Sequence, residues 1–250
     1  MSLRLFVSLP LADGAELSLP PGPARHAQVR RVQPGDGLLL FDGHGHDWPA
    51  TVLAMGKAEV RVRVGAALPV HRELPWPVTL ALAMPANERM DTLVEKATEL
   101  GATVIQPLHT ERSVLRLHGE RAARKRAHWQ AIAEAACEQC GRAVVPQVTP
   151  VVPLATWLQT LPPTAGAPRL LLSLATGARS LADRGLPAAD GTPLVTLSGP
   201  EGGLTADEEA AALATGFQAT ALGPRVLRAE TAPLAVLAWL ALQASGIEGR

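Results

Sequence analysis

Two apolar runs, Leu194–Leu197 and Phe217–Leu222, each empty into a Gly-Pro turn, Gly199-Pro200 and Gly223-Pro224, and a helix-like segment follows each turn. Glycine lets backbone N–H and C=O groups come close to a ligand, and proline holds the neighbouring turn in one shape. The pair is therefore predicted to form two strand-end loops of one design, suited to gripping a flat, polar small molecule by its main chain. The familiar nucleotide patterns do not fit: no G-x-x-x-x-G-K-[ST] occurs, and no G-x-G-x-x-G follows a strand-like run. Arg225, Arg228 and Glu230 follow the second turn directly, which brings two cations and a carboxylate within reach of whatever the loops hold. The plainer reading is a pair of ordinary strand-to-helix connections. The likeness of the two loops and the charge on one of them favour a site.

The hydrophobic pattern changes character along the chain. Residues 1–70 read as β-rich: Leu5–Leu11 alternates as a first strand, Leu38–Phe41 runs into the turn Asp42-Gly43, and Val60–Val64 alternates strictly, valines on one face and arginines on the other. A small barrel or sandwich is expected there. Pro69, Pro75 and Pro77 make Leu68–Pro77 the expected crossing to a second domain over 71–250. From Val78 onward strands alternate with helices: strand Val78–Met84, helix Arg89–Leu100 stopped by Gly101, strand Thr103–Pro107, and a long helix Arg121–Cys140 ending at Gly141. Leu170–Leu174 and Leu194–Leu197 add strands, and Thr205-Ala206-Asp207-Glu208 reads as a capping box opening another helix. Such alternation argues for an α/β domain with a mostly parallel sheet.

With a formal net charge of zero, a nucleic-acid role must rest on local patches. One cluster is Arg25, His26, Arg30 and Arg31; a second is Arg112, Arg116, Arg121, Arg124, Lys125 and Arg126, opposed only by Glu111 and Glu120. The second run reads either as a solvated helix face or as a surface for RNA phosphate. The apolar stretch Thr231–Gln243 is shorter than the ~18–20 residues of a membrane span, so a buried helix and no membrane partner are expected. Only two cysteines and no signal-peptide pattern point to the reducing cytoplasm. Cys137 and Cys140 form C-x-x-C, but the motif closes a helix where a redox motif opens one, and no second pair completes a zinc site. No metal is expected.

Gly199-Pro200-Glu201-Gly202-Gly203-Leu204 and Leu222–Thr231 resemble the signature of the RsmE family, the small-subunit ribosomal RNA uridine-N3 methyltransferases. Phe41-Asp42-Gly43, Arg89-Met90-Asp91 leading to Lys96–Gly101, and Ala135–Arg142 agree in the same order along nearly the whole chain. The resemblance implies an N-terminal PUA-like RNA-binding β-barrel at 1–70 and a C-terminal SPOUT methyltransferase domain at 71–250. That domain is threaded into a deep trefoil knot and paired as a homodimer. It implies S-adenosylmethionine held by knot loops: Ser198, Gly199, Pro200, Glu201 and Gly202 from one, Leu222, Gly223, Pro224, Val226, Leu227, Arg228 and Thr231 from another, and Leu172, Ser173 and Leu174 from a third. It further implies 16S rRNA or the 30S subunit as partner, contacted through Arg25, His26, Arg31, Arg89, Arg112 and Arg142. Two positions depart from the family pattern: Gln28 stands where a second arginine is usual, and Ala86 where a lysine is common.

Methylation at uracil N3 wants a base near N3 and hydrogen-bond donors near the carbonyls, because the nitrogen lone pair is freed only as the imide loses its proton. Arg225 and Arg228 are the candidates for the developing charge and phosphate orientation, and Glu230 or Glu201 for the proton. A SPOUT enzyme acting on a ribose 2′-OH or a guanine, and a non-catalytic RNA-binding protein, are the competing readings.

Overall fold

The computed structural model describes residues 3–57, 59–86, 88–164, 166–185 and 190–244. The chain forms two compact units, Met1–Glu73 with Glu134–Val145, and Leu74–Ala133 with Pro146–Arg250.

In the first unit, β1 (Arg4–Phe6), β2 (Glu16–Ser18), β3 (Gly37–Phe41), β4 (His46–Met55), β5 (Val60–Val64) and β6 (Leu68–Pro69) form one sheet, ordered β1-β3-β4-β5-β2 with β6 on β4. Pairing is antiparallel except between β1 and β3. The strict alternation of β5 is realised: Val60, Val62 and Val64 are buried with Leu5, Leu38, Leu40 and Val52, while Arg61 and Arg63 face outward and share Glu16 at 3.0 and 2.7 Å. The first strand is shorter than its apolar pattern suggests, ending at Phe6.

A helix the β-rich reading did not anticipate, α1 (Pro21–Val29), follows β2. Its prolines mark a start: a proline in the first turn gives up no helical hydrogen bond and already has the right φ. Buried Ala24 and Ala27 seat it on the core, and the positive φ of Arg31, +55°, turns the chain out of it. The segment after Ala133 belongs to this unit through named contacts. Arg4 lies across the Phe41 ring and donates to the carbonyls of Cys137 and Arg142, and the Phe6 amide donates to Glu138.

The second unit is built on β7 (Val78–Ala83), β8 (Val104–His109), β9 (Gln147–Val148), β10 (Val152–Pro153), β11 (Arg169–Leu172), β12 (Arg179–Ser180), β13 (Leu194–Ser198) and β14 (Gln218–Ala221). The strands run β10-β8-β7-β13-β11-β14-β12, with β9 also on β8, and every pairing is parallel. Near-continuous burial of β7 means that both sheet faces are covered, as a parallel sheet requires. Helix α2 (Glu88–Glu99) packs with α6 (Thr231–Ala244), and α6 on β13; α4 (Leu154–Thr160) packs with α5 (Ala206–Ala214), and α5 on β11. Helix α3 (Gly119–Cys140) follows β8. The apolar stretch at the C-terminal side is thus a core helix, burying Val236, Leu237 and Leu240, and no helix among the described residues is long and apolar enough to cross a membrane.

Candidate functional site

Open parallel sheets bind ligands beyond the carboxyl ends of their strands, where the strand order reverses. Here the chain places β13 on one side of β11 and β14 on the other, and the loops leaving all three meet around a cleft of about 410 Å³.

The loop after β13 is shaped by packing and held from several sides. A side chain at Gly199 would put its Cβ 2.9 Å from the Leu204 amide nitrogen, so only glycine lets the loop fold back this closely. The Gly203 amide closes the turn onto the Pro200 carbonyl at 2.8 Å. The Thr205 hydroxyl and the Glu208 carboxylate then form the capping box that starts α5. Arg112, exposed just after β8, donates to the carbonyls of Gly202 at 2.9 Å and Leu204 at 3.4 Å. Glu208 also accepts from the Glu111 amide at 2.8 Å.

The loop after β14 turns at Gly223, whose φ of +102° suits glycine alone. It presents Arg225 and Arg228 at the surface, and among the described residues neither guanidinium has an ion-pair partner. Glu201 and Glu230, one on each loop, both approach Arg89, at 3.3 and 3.9 Å.

Of the residues expected to hold a cofactor, Leu172, Ser173, Leu174, Ser198, Gly199, Pro200, Glu201, Leu222, Val226, Leu227 and Arg228 line the cleft, as does Arg225. Gly202, Gly223, Pro224 and Thr231 do not; Gly202 and Gly223 act on loop shape instead. Glu230 also lies off the lining, one residue beyond Ala229, which is on it. Gly203, Leu204, Glu209, Thr220, Ala229 and Ala232 also line it, though none was expected to hold the cofactor. Two of these had a readable signal. Thr220 lies in β14, two residues before Leu222, and Glu209 sits in the first turn of the capped helix, where its carboxylate takes the Ser173 hydroxyl at 3.4 Å.

The lining is polar where a ligand would have to complete it. Among the described residues the buried Ser198 hydroxyl, on the lining, has no hydrogen-bond partner, and neither does one oxygen of Glu230, which lies off it. An unsatisfied buried polar atom costs about 1–3 kcal/mol, which an incoming ligand group offsets.

The arginines expected on RNA are distributed differently. Arg25, His26 and Arg31 are exposed on and just after α1 in the first unit. Gln28 there donates to the carbonyls of Gly56 and Lys57, bracing the β4–β5 hairpin. Arg142 departs from expectation: it is 3% exposed, with its guanidinium on Glu73, so it serves the interior of the first unit. Arg112 is committed to loop carbonyls, as described, and Arg89 to two carboxylates. Cys137 is buried and Cys140 half-buried, and they form no disulfide; no group of metal ligands occurs among the described residues. Contact with Cys137 and the Arg142 amide draws the Cys140 thiol below its ordinary value.

Residues 72–241 match the family described as "RNA methyltransferase domain", and residues 24–65 that described as "RNA methyltransferase PUA domain". The chain is 38% identical over 247 residues to ribosomal RNA small subunit methyltransferase E of Synechocystis, covering 95% of this chain and 77% of that one. It is 31% identical over 228 residues to the Bacillus subtilis protein of the same name, covering 88% and 87%. Among solved structures, ribosomal RNA small subunit methyltransferase E of Neisseria gonorrhoeae bound to S-adenosyl methionine superposes with a TM-score of 0.88 at 37% identity, over 97% of this chain and 98% of that one. A Legionella pneumophila protein in complex with the same cofactor gives 0.89 at 32% identity, with the same coverage.

Proposed function

Because this chain belongs to the ribosomal RNA small subunit methyltransferase E family, we propose that it transfers a methyl group from S-adenosylmethionine to N3 of a specific uridine in 16S rRNA. The observation that carries the reading is the cleft at the carboxyl ends of β11, β13 and β14. It combines a glycine-shaped main-chain turn with a buried hydroxyl and two arginines that, among the described residues, have no partner.

The donor fits the lining. Backbone groups of 198–201, 203–204, 222 and 225–228 and the Ser198 hydroxyl supply the hydrogen bonds an adenosyl group needs, Leu172, Leu174, Leu222 and Leu227 the apolar contact, and Glu209 or Glu201 a charge opposite a cationic ligand. When bound, S-adenosylmethionine supplies an electrophilic methyl carbon whose leaving group departs as a neutral thioether. The protein's own work is then positioning and charge. Holding the uracil in line replaces a bimolecular encounter. Arg225 and Arg228, both exposed, receive the phosphate and the negative charge that spreads onto the uracil carbonyls as its imide is deprotonated. Glu230 or Glu201 accepts the imide proton. On the same reading the chain around the cleft is threaded as a knot, two copies pair, the exposed Arg25, His26 and Arg31 contact RNA, and the enzyme works in the cytoplasm on 16S rRNA or the 30S subunit.

Replacing Arg228 by Ala tests the assignment. Methyl transfer to small-subunit RNA should be lost while S-adenosylmethionine binding, read by calorimetry, stays within a few-fold of the parent. Equal loss of both would move Arg228 into the donor site.

A further inference from the structure

Arg89 is in the first turn of α2, the helix that follows β7, and β7 lies beside β13 at the centre of the parallel sheet. Its Nη1 lies 3.3 Å from Glu201 Oε1, and its Nε lies 3.9 Å from Glu230 Oε1. The amide of Ala86, just upstream, donates to the same Glu201 oxygen at 3.4 Å. One cation thus stands between two carboxylates that come from the two loops walling the cleft. We infer that Arg89 is a positioning residue: it fastens the β13 loop to the β14 loop through Glu201 and Glu230 and so sets the width of the donor cleft. This rests on the reading of that cleft as the donor site.

The charges argue against the alternative, in which Arg89 meets RNA. A phosphate would have to draw the guanidinium away from two carboxylates, whereas Arg225 and Arg228 stand exposed with no anion beside them among the described residues. Without Arg89 the carboxylates lose the charge between them and repel, and the loops separate. The side chains of Arg89, Glu201 and Glu230 are 42%, 34% and 18% exposed, so solvent weakens each pair and the effect is modest. Two such pairs acting together correspond to donor binding about tenfold weaker.

The test is calorimetric titration of the full chain with S-adenosylmethionine, without RNA, for the parent, Arg89→Ala, Arg89→Lys and the double variant Arg89→Ala with Glu230→Gln; melting temperatures check that each is folded. The clamp requires Kd to rise about tenfold in Arg89→Ala, with Arg89→Lys between the two because one ammonium holds one carboxylate at a time. The double variant should recover part of the loss, since the repulsion is gone; a role confined to packing would give no such recovery. Donor binding by Arg89→Ala within twofold of the parent, with RNA affinity reduced instead, overturns the clamp and returns Arg89 to the RNA. A parent chain that takes up no donor overturns the reading of the cleft itself, and the clamp with it.

Discussion

Adding one methyl group at Gly199 is the sharpest perturbation the geometry of the cleft allows. The new Cβ of Gly199→Ala would sit 2.9 Å from the Leu204 nitrogen, 3.1 Å from the Gly203 carbonyl carbon and 3.2 Å from Leu204 Cγ. Two of these neighbours are backbone atoms and cannot step aside by changing a rotamer. The loop itself must move, against the Gly203–Pro200 turn bond, the Arg112 bonds to Gly202 and Leu204, and the capping box behind it. Overpacking of this kind costs about 1–3 kcal/mol. If the loop yields, the strain appears as lost affinity for the ligand it cradles, roughly tenfold to a hundredfold in the Kd for S-adenosylmethionine. Strain left in the fold lowers Tm by roughly 2–4 °C for each kcal/mol. Gly202→Ala is the internal control, because its Cβ would meet only Arg112 side-chain carbons at 3.5 Å, an ordinary contact. Calorimetry on the two variants should show a large loss in the first and little change in the second. Equal affinities would refute the argument that the turn is shaped for a ligand.

Two further outcomes follow from contacts around the loop. Arg112→Ala removes the donors to Gly202 and Leu204 without touching the cleft lining, and should weaken donor binding several-fold at about 1 kcal/mol for a lost hydrogen bond, with the melting temperature little changed; an unchanged Kd would mean that the loop needs no brace. Burial, with the charges of His118 and Arg116 adding to it, holds the His109 imidazole below its usual value, and its Nε2 accepts the Leu117 amide at 3.1 Å, so the folded protein keeps it neutral. A depressed histidine contributes stability that is present above its ordinary value near 6.5 and is lost as pH falls toward the folded value. Melting curves at pH 7.5 and 5.5 should therefore show an acid loss that His109→Gln reduces; an identical loss in both proteins would remove His109 as its source.

What the sequence disclosed, and what it hid, divides by the range of the interaction. The faces of β5, the capping box at Thr205 and Glu208 and the two glycine turns are local: each is written within a few residues and reappears in the fold. Strand order is not local. Nothing in Leu194–Ser198 says that it lies between β7 and β11, yet that placement is what opens the cleft. Long cations were the hardest to read. Arg89, Arg112 and Arg142 look alike as charges in a string, but one ends between two carboxylates, one on loop carbonyls and one buried on Glu73, each fixed by partners from about 70 to 140 residues away. Nor does any pattern in Glu134–Val145 announce that it folds with the first unit; the contacts from Arg4 and Phe6 decide it.

The central claim is one of chemistry at one nitrogen, and one measurement meets it directly. Small-subunit particles from cells lacking this gene are incubated with the purified protein and S-adenosylmethionine carrying a labelled methyl group, and the RNA is digested to nucleosides and resolved by mass spectrometry. Label in 3-methyluridine, near one equivalent per particle, is the expected result; label in a 2′-O-methyl nucleoside or a methylguanosine, or no label at all, would contradict it.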